Sequence, residues 1–311
     1  MGDITTLLKT IFQDGVTEYE FIEESDGNSL FVVAQGGEII GINVVLFKNC
    51  FLYACCKVKD FVGKPLISFE EANQVTACIL LMHADHMTAW NIRKCLCQEF
   101  FLTLHDELKF SKLVLLKHPK RSEVFIYRRW ILKEFLKKHP EDCKALIQQE
   151  CVLCEGAAER YSCNYYAWSH RSTALQMFSF HKSCEFLQAE LLRTEKFSEN
   201  HVSDVSGFSY RLFIIQNLCQ NLNDDQTVCK LLHSQLEKVM DLIDFYGCHE
   251  TFLHFLRSLL FMYSSFGKNV EKTWQFLQSS SKKNENSEKG SDVEKQLWKK
   301  MEDWVSRFVL I

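Results

Sequence analysis

An aromatic ring followed three residues later by arginine returns along most of this chain, at intervals long enough to hold two helices. The pattern is fullest in Asn164-Tyr-Tyr-Ala-Trp-Ser-His-Arg171. Trp90 with Arg93 repeats the pair upstream, Phe125 with Arg128 and Phe208 with Arg211 carry phenylalanine in the ring position, and a weaker copy surrounds Leu253 and Arg257. Residues three apart share a helix face, so the ring can bury while the guanidinium reaches a neighbouring helix. The arginines lie 35 (128 − 93), 43 (171 − 128), 40 (211 − 171) and 46 (257 − 211) residues apart, the length of a helical-hairpin repeat with its two turns. One such hairpin cannot bury its apolar face alone, so the rings read as core. A buried guanidinium needs acceptors around its fork, and acidic residues of adjacent repeats are the expected partners of Arg93, Arg128, Arg171 and Arg211.

Composition narrows the class. Three prolines and twelve glycines in 311 residues are too few to punctuate a many-stranded fold, and 47% hydrophobic content is ample for a core, so an all-α interior is expected. A net charge of −4 argues against general affinity for nucleic acid. Fourteen cysteines in a long chain without a charged-then-apolar leading segment fit a reduced, cytoplasmic protein. Cys151-Val-Leu-Cys154 has one arm of zinc-site spacing, but no second arm completes it, and His83 and His86 are near Asp85 but no third ligand is fixed by sequence. Buried free thiols and no metal are therefore expected. No apolar run reaches the roughly 20 residues of a membrane span, and the terminal Arg-Phe-Val-Leu-Ile311 has no prenylatable cysteine.

In order, residues 1–66 read as a short acidic amphipathic helix followed by a hairpin or a few short strands between Leu30 and Lys59, turning at Gly36-Gly37. Residues 67–278 carry the repeats, beginning at Ser68-Phe-Glu-Glu71, which has the spacing of a helix N-cap. Pro119 and Pro140 bracket one clear helix. Residues 279–292 are polar and read as a disordered linker, and 293–311 as a final amphipathic helix. Between Lys117 and His139 eight Lys or Arg face only Glu123 and Glu134, which is either a solvated face or a basic wall toward an acidic partner or phosphates. Asn164 is either a plain N-cap or, with Tyr165 and Tyr166, a donor set at a positive helix end suited to a diphosphate.

The Asn164–Arg171 segment resembles the repeat of protein prenyltransferase α-subunits, typically Lys-Asn-Tyr-x-x-Trp-x-x-Arg, and the likeness extends over five copies from about Phe69 to Tyr263. Thr88-Ala-Trp-Asn-Ile-Arg-Lys94, Val202 to Arg211 and Gly247-Cys-His-Glu-Thr251 resemble in particular the α-subunit of the third type of geranylgeranyltransferase. The resemblance implies a right-handed α-α superhelix of TPR-like hairpins around a β-subunit, here the one shared with Rab geranylgeranyltransferase. That β-subunit would hold the zinc, while this chain holds no cofactor. It also implies geranylgeranyl diphosphate as co-substrate and an already farnesylated SNARE as acceptor. Carried over by position, the lysine that approaches the diphosphate falls on Lys120, and the active-site rim on Arg121, Asn164, Tyr165 and Tyr166. Departures occur at Arg121-Ser122 for Asn-Tyr, Tyr166 for His, Gly207-Phe208 for Val-Trp and Leu253 for Trp. The rival expectation is a catalytically silent scaffold that binds a helical or acidic protein through the 117–139 face.

Overall fold

The structure, a computed structural model, describes residues 2–12, 16, 18–23, 29–34, 38–62, 68–138, 143–265, 275 and 292–308. The Gly36-Gly37 turn, Pro140 and the 279–291 linker lie outside them. Thirteen α-helices and one small sheet are present among the described residues. By compactness the chain falls into two units, Met1–Tyr161 and Ser162–Ile311.

The first unit opens with α1 (Gly2–Phe12), β1 (Glu18–Ile22), β2 (Phe31–Ala34), β3 (Ile39–Asn43) and α2 (Val44–Lys57). The sheet order is β1-β3-β2, with β1 parallel and β2 antiparallel to β3. The sequence reading needs two corrections here. A strand stands at 18–22 within the acidic segment, its Tyr19 buried and donating from its hydroxyl to Leu81 O at 3.0 Å. The apolar stretch from 44 to 57 is a helix, not a strand. Asn43 Oδ1 accepts from the backbone N–H groups of Val45 and Leu46 and so starts a helix where an unbroken apolar run left strand and helix undistinguished.

Paired helices follow: α3 (Phe69–Met82) with α4 (Met87–Gln98), α5 (Leu104–Lys117) with α6 (Ser122–Lys138), then α7 (Cys143–Arg160). Side chains in the preceding turns open three of them: Ser68 for α3, His86 for α4 and Thr103 for α5. The second unit holds α8 (Tyr165–Met177), α9 (Cys184–Asn200), α10 (Val205–Asn221), α11 (Asp225–Tyr246), α12 (Glu250–Ser265) and α13 (Asp292–Phe308). The fold is thus all-α helical-hairpin repeat with an N-terminal β segment. In α13, Trp298, Met301 and Val305 are buried, and Trp304 lies beneath the Arg257 guanidinium at 5.9 Å.

The recurring rings are core. Trp90 stacks near Tyr127 with centroids 4.4 Å apart and donates from its indole N–H to Ala84 O at 2.8 Å. Trp168 packs on Phe197 and Tyr210, and Phe125 and Phe208 are buried. Gly207, just before Phe208, sits where a Cβ would come within 3.1 Å of the Phe197 ring, so its missing side chain lets α10 approach α9.

The arginines join each hairpin to the next. Arg93 on α4 donates through Nε and Nη2 to both oxygens of Glu107 on α5, at 2.8 and 2.5 Å, and through Nη1 to Asn73 Oδ1 and Thr76 Oγ1 on α3. Arg128 on α6 does the same with Glu150 on α7, and back to Leu108 O and Ser111 Oγ on α5. In the second unit Arg171 pairs with Glu190 on α9, and Arg211 reaches back to Leu191 O and Thr194 Oγ1. At Arg211 the expected acid fails: its forward partner is the neutral Gln235, at 3.0 Å. Glu107 and Glu190 are shared, each accepting also from a tyrosine of its own hairpin, Tyr127 and Tyr210, at 2.6 Å.

Burial alone would lower the pKa of Arg93, but Glu107 outweighs it and the guanidinium is held more firmly charged than usual. Removing one partner of such a pair strands a charge away from water. Glu107→Ala should therefore cost about 3–5 kcal/mol, whereas Gln235→Ala, which deletes a neutral acceptor, should cost about 1 kcal/mol. Urea denaturation of the full chain measures both, and a Glu107→Ala loss below that of Gln235→Ala would refute the shared-carboxylate account.

Candidate functional site

Helix N-termini leave N–H groups unpaired, so the turns that open the second helix of each hairpin concentrate polar side chains. In the first unit these turns are 83–86 and 118–121. His86 Nδ1 accepts from the Ala89 N–H at 3.1 Å, His83 stands edge-on to His86 at 6.3 Å, and His118 Nε2 contacts Leu81 O at 3.0 Å. Arg121 Nη1 donates to Asp85 Oδ2 at 2.8 Å, tying one turn to the preceding one. Lys120, between them, is half-buried, and its ammonium lies 4.3 Å from the centre of the Tyr161 ring. No anionic partner of Lys120 occurs among the described residues.

In the second unit Asn164 is fully buried and caps α8, its Oδ1 accepting from the Ala167 N–H at 3.2 Å. Its amide is therefore engaged with the helix start. Tyr165 and Tyr166 follow on the first turn of α8, 64% and 39% exposed, with their rings edge to face at 5.7 Å. Cys163, with φ of 53°, turns its N–H onto Asp204 Oδ2 at 2.9 Å, while Asp204 Oδ1 caps α10 through Gly207 N. The predicted rim residues thus divide into Lys120 and Arg121 in one unit and Asn164, Tyr165 and Tyr166 in the other.

Four other cations of the 117–139 stretch are engaged in different ways. Lys117 approaches Glu20 at 3.4 Å, Lys137 bonds Glu134 at 2.7 Å, Lys138 lies over Phe100 and Arg128 is buried against Glu150. Among the described residues no group of three or more His, Cys, Asp or Glu could hold a metal ion. Cys151 and Cys154 are buried and form no disulfide. Burial pushes the thiols of Cys97 and Cys219 up, to about 12 and about 11, and raises those of Cys55 and Cys78 as well. No helix among the described residues is long and apolar enough to cross a membrane.

Sequence reasoning missed the acids. Glu107, Glu150 and Glu190 each precede the next repeat's arginine by 21 residues (128 − 107, 171 − 150, 211 − 190), an offset as regular as the ring–arginine pair. A second signal was a hydroxyl 17 residues before Arg93, Arg128 and Arg211, at Thr76, Ser111 and Thr194.

Within each unit, hairpins bolted by buried arginine–carboxylate pairs define a helical-repeat scaffold. Residues 104–135 and 147–178, within α5–α6 and α7–α8, match the family model described as Protein prenyltransferase alpha subunit repeat. The chain is similar to Protein prenyltransferase alpha subunit repeat-containing protein 1 of Homo sapiens, 32% identical over 234 residues, covering 60% of this chain and 58% of that protein. It is 35% identical to protein 1-B of that name in Xenopus laevis over 206 residues, covering 61% and 48%. A more distant relative is the Geranylgeranyl transferase type-2 subunit alpha of Saccharomyces cerevisiae, 24% identical over 155 residues, covering 48% and 46%. The chain spans about half the length of the curated relatives it matches.

The His86 cap carries a pH signature. Its imidazole must be unprotonated at Nδ1 to accept from Ala89, and burial first, then His83, lowers its pKa despite an opposing backbone contact. His118 is shifted in the same direction, chiefly by burial. The unfolded chain therefore takes up these protons at higher pH. Stability is full above the unfolded histidine value of about 6.5 and falls as pH drops toward the folded values. His86→Asn keeps an acceptor without the titration, so its stability should decline less between pH 7.5 and 5 in parallel urea melts. An unchanged slope would remove His86 as a contributor.

Proposed function

We propose that this chain is the alpha-type, non-zinc subunit of a heterodimeric protein geranylgeranyltransferase. The alpha-subunit repeat over α5–α8 supports this, together with Lys120 in the turn between two matched helices, its ammonium meeting only a tyrosine ring among the described residues. In the reaction a cysteine thiolate attacks the first carbon of geranylgeranyl diphosphate. A sulfur–carbon bond forms, the carbon–oxygen bond breaks, and the diphosphate departs with its negative charge. In this reading zinc, bound by a β-subunit of the Rab geranylgeranyltransferase type, lowers the thiol pKa.

What this chain adds is charge and position. An ammonium over an exposed ring is held by only about 0.5–1 kcal/mol, so Lys120 can move to a phosphate oxygen at little cost. There it opposes the charge that grows on the leaving group, as a donor stronger in the transition state than in the ground state. Arg121, fixed on Asp85, positions the turn, and the exposed hydroxyls of Tyr165 and Tyr166 serve the rim. The acceptor is a SNARE-type protein already carrying a farnesyl group, and the setting is the cytoplasm.

Co-expression with the Rab-type β-subunit, followed by incubation with labelled geranylgeranyl diphosphate and a farnesylated SNARE, should yield a complex and labelled product. A complex that forms but transfers nothing would favour a silent scaffold, and no complex would end the subunit reading. Within an assembled complex, Lys120→Ala should slow single-turnover transfer by roughly tenfold to a thousandfold, the scale of one lost transition-state donor. An unaltered rate would exclude Lys120 from the chemistry.

A further inference from the structure

The joint at Arg211 differs from the other three in two coupled ways. Gln235 stands where Glu107, Glu150 and Glu190 supply a carboxylate, and Phe255 stands 20 residues after it, where Tyr127 and Tyr210 follow Glu107 and Glu190 by the same interval and bond them. The guanidinium nonetheless stays in place, 4% exposed, with Nη1 on Leu191 O and Thr194 Oγ1 and Nη2 on Gln235 Oε1. Among the described residues neither Arg211 Nε nor Gln235 Nε2 has an acceptor, and no carboxylate lies within ion-pair distance of the guanidinium. Both side chains line a cleft of about 270 Å³ between α9, α10 and α11, walled by Phe208 and Phe255. That volume is on the scale of one or two amino-acid side chains.

The mouth of the cleft selects among anions. Lys238 Nζ lies 2.5 Å from both oxygens of Glu195, which closes that pair internally. Glu199 and Asp241 line the cleft and are exposed. A bare anion would be repelled there on its way to Arg211, whereas a ligand that carries a cation beside its carboxylate satisfies both ends.

We infer that this cleft binds a carboxylate carried next to a cationic group, with Arg211 and Gln235 receiving the carboxylate and Glu199 and Asp241 the cation. The same chemistry is offered by an acidic residue adjoining a basic one in a peptide and by a free amino-acid zwitterion. Burial lowers the pKa of Arg211 to about 10, with Glu195 and Glu199 opposing but not offsetting it, as befits a guanidinium lacking a contacting carboxylate. The site lies within the second unit and does not depend on the transferase reading.

Thermal melting of the full chain tests it, with acetyl-Asp-Lys-amide, acetyl-Asn-Lys-amide and L-glutamate as separate probes. At saturation the Asp-Lys peptide should raise Tm by about 2–4 °C and the Asn-Lys peptide should not. Stabilisation by L-glutamate as well identifies the zwitterion as sufficient; its absence identifies the peptide form. Gln235→Glu places the carboxylate within the chain, so it should raise Tm unaided and abolish the peptide response. Asp241→Asn, at the exposed mouth, should leave the unliganded Tm unchanged and weaken peptide binding by about tenfold. A wild-type chain that responds to neither carboxylate, a response equal for Asp-Lys and Asn-Lys, or an Asp-Lys response undiminished in both variants would overturn the assignment.

Discussion

A guanidinium taken out of water needs acceptors around its fork, and that requirement organises the repeats. Arg93, Arg128 and Arg211 each stand on the second helix of a hairpin. They bond backward to the first helix of the same hairpin and forward to the first helix of the next. Apolar contacts among the rings supply most of the driving force, but they tolerate sliding and rotation. A bidentate fork does not, because both oxygens must lie in its plane. The arginines therefore set register between helices whose packing surfaces alone would leave it loose. Sharing Glu107 between Arg93 and Tyr127 carries that register from one hairpin into the next.

The turns are constrained by a different need, the unpaired N–H groups at helix starts. His86, Asn164 and Asp204 meet it with three different side chains at equivalent positions. Such groups are spent on holding helices. Lys120 caps no helix and meets a tyrosine ring instead. Asn164 illustrates the point: a donor in the sequence motif, a fully buried cap in the fold.

Much of this was legible in the sequence. The ring–arginine spacing marked the hairpins, and the helix starts at Ser68 and Asn164 fell where the capping residues stood. The acids were not found, because glutamates are common and only their fixed offset from the following arginine sets Glu107, Glu150 and Glu190 apart. Gln235 followed no rule based on charge. The N-terminal segment misled for a physical reason: from Val44 to Lys57 β-branched and aromatic residues occupy a helix whose start is decided by one Asn43 side chain, not by the run itself. β1 was hidden because five residues paired on one side only need little alternation. Lys120 could be singled out by resemblance, but its pairing with Tyr161 required the fold.

The cysteines have a consequence of another kind. Alkylating and oxidising agents attack the thiolate, and burial leaves Cys55, Cys78, Cys97 and Cys219 almost entirely as thiols at neutral pH. These four sulfurs are therefore chemically quiet. Such side chains fill the interior without offering a nucleophile to electrophiles in solution.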